Sequence, residues 1–208
     1  YKTVTLSDGE KIHHSVSILA KDKISIGSTF VTDKLSDTGR VYVSENHAVA
    51  TVTQSGLITG VSDGVTKVNV YASDGKTEIG DCTVIVSTAA VTIPKVLRPG
   101  QYAEVGIEVR AGGDASITGN LSMVALSGLS GRNTGTVYKL NAFTRRKNSD
   151  YSLLGEGSKV VSATANKWSG GKASKSVDFK VETTQSLETL VPDVYDATVV
   201  WKLDLKLN

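Results

Sequence analysis

Apolar and polar residues alternate with a period of two along most of the chain, whereas the 3.6-residue period of an amphipathic helix is nearly absent. Ser-Gly and Ser-Asp-Gly turns separate the alternating segments, because glycine supplies the positive φ that tight turns need. Units of strand and turn that recur about every 8–12 residues are typical of a β-sandwich or barrel. The pattern predicts strands at 41–43, 48–52, 67–71, 82–86, 106–110, 176–182 and 197–207.

The clearest alternation lies in residues 199–207. Trp201 and Leu203 fall on one face of this segment, and Lys202 and Asp204 fall on the other. One apolar and one charged face predict an antiparallel strand with a single buried side. Between the strands we expect a loop at 87–90, a polar Gly-rich loop at 166–175 and one helical turn within 183–191.

The composition also favours an all-β chain. The 208 residues include 27 Val and 22 Thr but only one Met and three Phe, and β-branched side chains prefer strands to helices. A hydrophobic share of 39% and a charged share of 21% are ordinary for a globular protein and exclude a disordered chain. The longest apolar runs fall far short of the roughly 20 residues that a membrane helix needs, so we expect no membrane insertion.

Few residues have the chemistry of a catalytic or metal site. The histidines are His13, His14 and His47, and the first two point to opposite faces of a strand because they are adjacent. Cys82 is the single cysteine and alternates with polar neighbours, which predicts a small buried side chain. The spacings that mark zinc sites, nucleophile elbows and phosphate loops are missing from the sequence. We therefore expect no enzyme activity, no cofactor and no metal.

Two local features are candidates for surface recognition. A basic cluster comprises Lys139, Arg145, Arg146 and Lys147; it is either a solvated hairpin tip or a contact for phosphate or an acidic glycan. Trp168 lies in the Gly-rich loop, where it either caps the edge of a core or stands exposed as a ligand platform. The net charge of +2 argues against a dedicated nucleic-acid binder.

One segment carries a family signature. Residues 43–68 are VSENHAVATVTQSGLITGVSDGVTKV, and the flanking segments at 24–27 and 82–86 continue the pattern. This stretch resembles the bacterial immunoglobulin-like domain of group 2 over about residues 15–87. The family's Ser-x-Asn step, Val-Ala-Thr-Val strand and Leu-Ile-Thr-Gly-Val segment all have counterparts here. We expect Gly56, Gly60 and Gly64 to supply the positive φ at which this chain turns or crosses between sheets.

The resemblance implies an immunoglobulin-like β-sandwich for the first part of the chain only, whereas residues 91–208 match no family securely and their alternation predicts a second sandwich. Together these observations predict an all-β chain of two tandem immunoglobulin-like β-sandwich domains. We expect the first at 15–87 and the second at 91–208, with residues 87–90 as a short hinge. Residues 1–14 are either a first strand or an arm that pairs with a neighbouring subunit, with Val4 and Leu6 as the apolar positions of the intersubunit strand.

Members of this family occur in bacterial surface adhesins and on phage capsid and tail proteins. The resemblance thus implies a non-enzymatic structural or display protein on a phage virion or bacterial surface. Its partners would be copies of itself, other virion or surface proteins and cell-surface glycans. The lack of any disulfide and of a basic-then-apolar leader favours a virion protein assembled in a reducing cytoplasm.

Two alternatives remain open. The first is a filament subunit that donates residues 1–14 as a strand. The step from Asp193 to Trp201 resembles the closing Gly-x-Tyr-x-Ala-x-Val strand of fimbrial subunits, with Asp193 in place of the Gly. The second alternative is a glycan-binding module, since β-sandwiches carry such sites on exposed aromatic residues.

Overall fold

The computed structural model describes residues 11–26 and 39–208, and nearly all of its regular structure is β-strand, which confirms the all-β class. Short 3₁₀ turns occur at Lys167–Ser169 and Leu187–Thr189. The strands are β1 (Ile12–Leu19), β2 (Lys23–Ser25), β3 (Val41–Ser44), β4 (Ala50–Val52), β5 (Leu57–Gly60), β6 (Gly64–Tyr71), β7 (Glu78–Thr92), β8 (Tyr102–Arg110), β9 (Ile117–Leu126), β10 (Leu129–Gly131), β11 (Val137–Tyr138), β12 (Leu140–Arg145), β13 (Ser152–Leu154), β14 (Lys159–Ala165), β15 (Lys172–Thr183), β16 (Tyr195–Asp196) and β17 (Val199–Leu207).

The N-terminal part of the chain is a two-layer sandwich. One layer contains β1, β7, β6 and β3, and the other contains β2, β5 and β4. β1 runs parallel to β7, while β6 pairs with β7 in the antiparallel direction. The alternating residues of each strand meet between the layers, where Ile58, Val68 and Val84 are fully buried. Burial of this apolar surface is the main force that holds the two layers together.

The C-terminal part contains a second pair of layers with a separate core. β13, β12, β15, β8 and the end of β7 form one layer, and β14, β9 and β17 form the other. Phe179 from the first layer packs with Leu121 and Met123 from the second, and all three are at most 1% exposed. β10, β11 and β16 form a separate small sheet.

The junction between the two parts differs from the prediction. The loop predicted at 87–90 is wrong, since these residues continue β7, which runs unbroken from Glu78 to Thr92. Residues 88–92 pair with residues 106–110 of β8, so one sheet extends through both parts of the chain. The small side chains at 87–90 indicate a loop locally, but β8 supplies hydrogen-bond partners that the local sequence does not reveal.

Hydrogen bonds and close backbone packing join the two parts of the chain at this junction. The backbone N–H of Gly112 donates to the buried Ser87 hydroxyl at 3.1 Å, and Ala20 N–H donates to the Ser87 carbonyl at 2.9 Å. A Cβ atom on Gly112 would lie 2.3 Å from the Val86 carbonyl oxygen and 2.6 Å from that of Gly64. The backbone segments therefore approach more closely at this point than any residue with a side chain permits.

Several boundaries also differ from the predictions. β4 begins at Ala50 rather than at residue 48, and β15 begins at Lys172 within the predicted 166–175 loop. Gly56 and Gly64 have φ of 77° and 148°, as predicted, but Gly60 does not adopt positive φ. Its lack of a side chain has another reason, because a Cβ there would lie 2.8 Å from the Leu19 carbonyl oxygen.

The predicted N-terminal arm is described only from residue 11. Residues 12–14 belong to β1 and pair with β7 of the same chain, which favours the first-strand alternative over the arm for these three residues. Val4 and Leu6 lie outside the described residues. Within the described part of the chain, no helix is long and apolar enough to span a membrane.

Candidate functional surfaces

The structure divides the predicted basic cluster. Lys139 immediately precedes β12, whereas Arg146 and Lys147 follow its far end in the β12–β13 turn. Six strand residues separate the two groups, a span of about 20 Å. Arg146 and Lys147 stand exposed at the hairpin tip. The four cations therefore do not form a single recognition patch.

Arg145 is part of the outer face of the sheet. Its Nε donates to Asp178 Oδ2 at 2.8 Å across the β12–β15 pair. Its guanidinium lies 4.5 Å from the ring centroid of Tyr151 and 5.4 Å from that of Tyr102. The hydrogen bond to Asp178 raises the pKa of Arg145 further above its ordinary value. Arg145 therefore links neighbouring strands, and Asp178 already neutralises its charge.

Arg146 instead lies beside two lysines that the sequence did not connect with it. Arg146, Lys159 and Lys175 line a cleft of about 640 Å³ between β14 and β15, together with Ser162 and Ser176. We call this feature the basic cleft. The three cations are distant in the sequence, and strand pairing brings them together. The sequence gives one indication of this cluster. Lys175 lies two residues before Val177 and four before Phe179, so alternation along the strand places it on the same inward face as these apolar residues.

Trp168 stands exposed instead of capping a core edge. Its relative exposure is 93% in the 3₁₀ turn Lys167–Ser169. The turn is held by Asn166, whose side-chain oxygen accepts from the Ser169 N–H at 3.0 Å. Tyr138 and Tyr151 do not join Trp168, because Tyr138 packs edge-on against Tyr195 and Tyr151 packs against Arg145.

A carboxylate ties the β10–β11 turn to the segment before β16. Asp193 accepts hydrogen bonds from the backbone and side chains of Asn133 and Thr134, at 2.7–3.2 Å. Partial desolvation raises the pKa of Asp193, but these bonds and one from Val194 outweigh it and hold the pKa well below its usual range. Asp193, which replaces the Gly of the fimbrial pattern, thus holds these two segments together through its hydrogen bonds. The sequence alone did not indicate this role.

Cys82 lies in the core, as predicted. Its side chain is fully buried, and this desolvation, followed by the nearby charge of Asp81, raises the pKa of the thiol to about 11. A thiol with so high a pKa is protonated near neutral pH and is a poor nucleophile.

The His13 Nδ1 lies 2.7 Å from Asp81 Oδ2 and joins β1 to β7. No group of three metal-ligating side chains occurs among residues 11–26 and 39–208.

The outer edge of β17 is open. Within the described residues β17 pairs with β9 alone, over its whole length. Its inward residues Trp201, Leu203, Leu205 and Leu207 are only half-buried, whereas Leu121 on β9 is 1% exposed. Beside Trp201 lies a groove of about 570 Å³, in which the Phe179 and Trp201 rings meet edge to face at 5.0 Å. This row of apolar side chains therefore lacks a neighbour on one side.

Comparisons with known proteins give one family and several distant structural likenesses. No curated protein matches the sequence. The CsuC-CsuE chaperone-tip adhesion subunit complex of Acinetobacter baumannii Csu pili is 11% identical, with coverage of 93% of this chain and 98% of that one and a TM-score of 0.42. Domains 4 and 5 of the S-layer protein SbsC are 17% identical, with coverage of 80% and 72% and a TM-score of 0.23.

The family match falls on the segment with the sequence signature. The family model for the bacterial Ig-like domain of group 2 matches residues 28–81. The described part of that segment contributes β3, β4, β5, β6 and the start of β7 to the N-terminal sandwich. Residues 28–81 of this chain are therefore a bacterial Ig-like domain of group 2.

Proposed function

We propose that this chain is a non-enzymatic structural or display protein of an extracellular surface, in which it spaces and packs neighbouring components. The observation that carries the proposal is the unbroken course of β7 from one sandwich into the next. The match of residues 28–81 to the bacterial Ig-like domain of group 2 supports it, since the resemblance implies a structural module of a surface or virion protein.

Stiffness is the property that suits a spacer. Two domains on a flexible linker sample many relative orientations, whereas a strand shared by two sheets fixes one orientation through its ladder hydrogen bonds. Five residues of β7, from Thr88 to Thr92, pair with β8 directly after the segment that pairs with β1 and β6. The Ser87–Gly112 contact reinforces this joint.

The finer proposal is a phage virion component, either a capsid decoration or a tail protein, with a bacterial cell surface as the other location. The chain's single cysteine is buried, so the fold is built without a disulfide and suits assembly in a reducing compartment. Immunogold electron microscopy of the producing cells and their particles tests the location. Label on phage heads, tails or the outer cell surface supports the proposal, and label confined to the cytoplasm contradicts it.

A second candidate function is a filament subunit that assembles by strand exchange. The open edge of β17 and its half-buried apolar row favour it, because an added strand would cover these side chains and pair the free backbone groups. The part of residues 1–14 that precedes β1 is the proposed donor from another copy, with Val4 and Leu6 on the face that would meet the apolar row.

Matched variants separate strand exchange from other association. Val4→Asp with Leu6→Asp places charges at the apolar positions, and Thr3→Asp with Thr5→Asp adds the same charge at the alternate positions. We expect light scattering to show polymers of the wild type that the first pair abolishes and the second pair leaves in place. A wild type that stays monomeric at high concentration, or an equal loss from both pairs, contradicts strand exchange.

A further inference from the structure

We propose that the basic cleft binds an acidic glycan through the carboxylate or sulfate groups of the sugar chain. This inference gives the proposed surface protein a ligand class, and it rests on the surface location in that proposal. The cleft lies at the mouth of the C-terminal sandwich, where the edge of β14 faces β15. Arg146 reaches the same mouth from the β12–β13 turn.

The charge of the cleft is not compensated. Among the described residues, Arg146, Lys159 and Lys175 form no ion pair, and no carboxylate lines the cleft. Neighbouring cations on the outer face of the same sheet are all paired, as Arg145 is with Asp178, Lys172 with Glu108 and Lys180 with Glu182. Three uncompensated cations at one opening create a positive potential that attracts anions.

Lys175 occupies a position at which core packing alone would favour an apolar residue. Along β15 the inward positions are Val177, Phe179 and Val181, and Lys175 continues this series in the direction of the cleft. An apolar residue at this position would extend the core. A lysine instead keeps its ammonium in solvent at the mouth of the sandwich while its methylene groups lie along the apolar wall.

Hydrogen-bond donors accompany the cations. β12 pairs with β15 only from Asp178 onward, so within the described residues no strand covers that edge of β15 at residues 172–177. The free edge offers backbone N–H groups beside the cations. The polar residues Ser162 and Ser176 line the same cleft. Cations combined with neutral donors are the groups that bind carboxylate and sulfate oxygens.

The size and lining of the cleft favour a sugar chain over a nucleic acid. A volume of about 640 Å³ lies within the range of small-molecule sites. Proteins that bind single-stranded nucleic acid combine basic grooves with aromatic side chains on which bases stack. The residues that line this cleft include no aromatic side chain. A saccharide with charged groups needs no such stacking.

Edge protection is the competing explanation for these lysines. Charged residues that point inward at a strand edge discourage pairing with another sheet, and this role requires no ligand. The two explanations differ in what the cleft binds. If the lysines only protect the strand edge, the cleft should bind anions no more tightly than any other surface of equal charge.

Binding of defined oligosaccharides to the whole chain tests the proposal by isothermal titration calorimetry. The probes are an oligogalacturonate hexamer and a heparin hexasaccharide, which separate carboxylate from sulfate recognition, with maltohexaose as the neutral probe and single-stranded DNA as the nucleic-acid probe. The test variant is Lys159→Gln with Lys175→Gln. The control is Lys139→Gln with Lys206→Gln, which removes the same charge at exposed positions outside the cleft.

We expect at least one acidic probe to bind the wild type, with an affinity that falls at least tenfold in the test variant and less than twofold in the control. Thermal unfolding midpoints that match the wild type show that both variants are folded. Equal losses in the two variants, binding to neither acidic probe, or tighter binding to DNA overturn the proposal. The immunogold location is measured separately, so a failure of binding is distinct from a failure of the proposed function.

Discussion

Replacement of Gly112 by alanine should weaken the joint between the two sandwiches. The added Cβ would meet the backbone oxygens of Val86 and Gly64 at 2.3 and 2.6 Å, and neither oxygen belongs to a side chain that can rotate away. Gly112 does not adopt positive φ, so the change acts through contact alone. Forced shifts of this kind cost about 1–3 kcal/mol.

The same shift also breaks a buried hydrogen bond. The Gly112 N–H donates to the hydroxyl of Ser87, which is fully buried, and an unpaired buried polar group costs about 1–3 kcal/mol. Together the two effects predict a loss of roughly 2–6 kcal/mol in the free energy of unfolding. Ser87→Ala removes only the hydrogen bond and should cost less than Gly112→Ala does.

Urea denaturation, monitored through the fluorescence of Trp201, measures these losses in the free energy of unfolding. Trp201 packs against Phe179 in the C-terminal core, and a Trp168→Phe background removes the signal of the exposed indole. Gly155→Ala is the matched control, since its Cβ would come no closer than 3.6 Å to any neighbour and its φ is not positive. A Gly112→Ala variant that is no less stable than the Gly155→Ala variant would refute the steric argument.

Three further predictions concern other parts of the molecule. Because burial raises its pKa to about 11, Cys82 should resist a thiol reagent such as DTNB at pH 8 and react fully in urea; fast reaction of the folded chain contradicts its placement. Gly80→Val should release the start of β1, since a Cβ at this position would lie 2.0 Å from the Ile12 carbonyl oxygen; hydrogen exchange should then rise in β1, and unchanged protection there refutes the close approach. The lowered pKa of Asp193 means that its contribution to stability is present above its unfolded-state value of about 3.9 and is lost as the pH falls through the folded-state value. Asp193→Asn should therefore reduce stability at pH 7 and flatten its decline in acid, and a variant whose acid unfolding curve matches the wild type contradicts this role.

Much of the fold follows from local sequence. Alternation predicted β3, β6, β8, β15 and β17, because a strand with one buried face repeats its chemistry every second residue. The end of β7 could not be found in this way, since the small residues at 87–90 carry no alternation. They become strand because β8, which begins at Tyr102, pairs with them.

The candidate site was less accessible from sequence than the fold. Arg146 belonged to a visible run of charge, and Lys175 differs from a solvated lysine only in its alternation with Val177 and Phe179, whereas Lys159 has the appearance of an ordinary solvated lysine in its local sequence. The pairing of β14 with β9 and of β15 with β8 brings them to one opening. Long-range strand order of this kind depends on the whole fold, and no local pattern encodes it.

The stiffness of the joint is the central claim, and a distance distribution across it is the most direct test. Spin labels at Val43→Cys on β3 and Lys202→Cys on β17 stand on exposed strand positions of the two parts, while the buried Cys82 stays unlabelled. Double electron–electron resonance should give one narrow distance distribution, which broadens when four Gly-Ser residues are inserted after Ser87. A wild-type distribution as broad as that of the insertion variant would contradict the shared strand and the spacer function that rests on it.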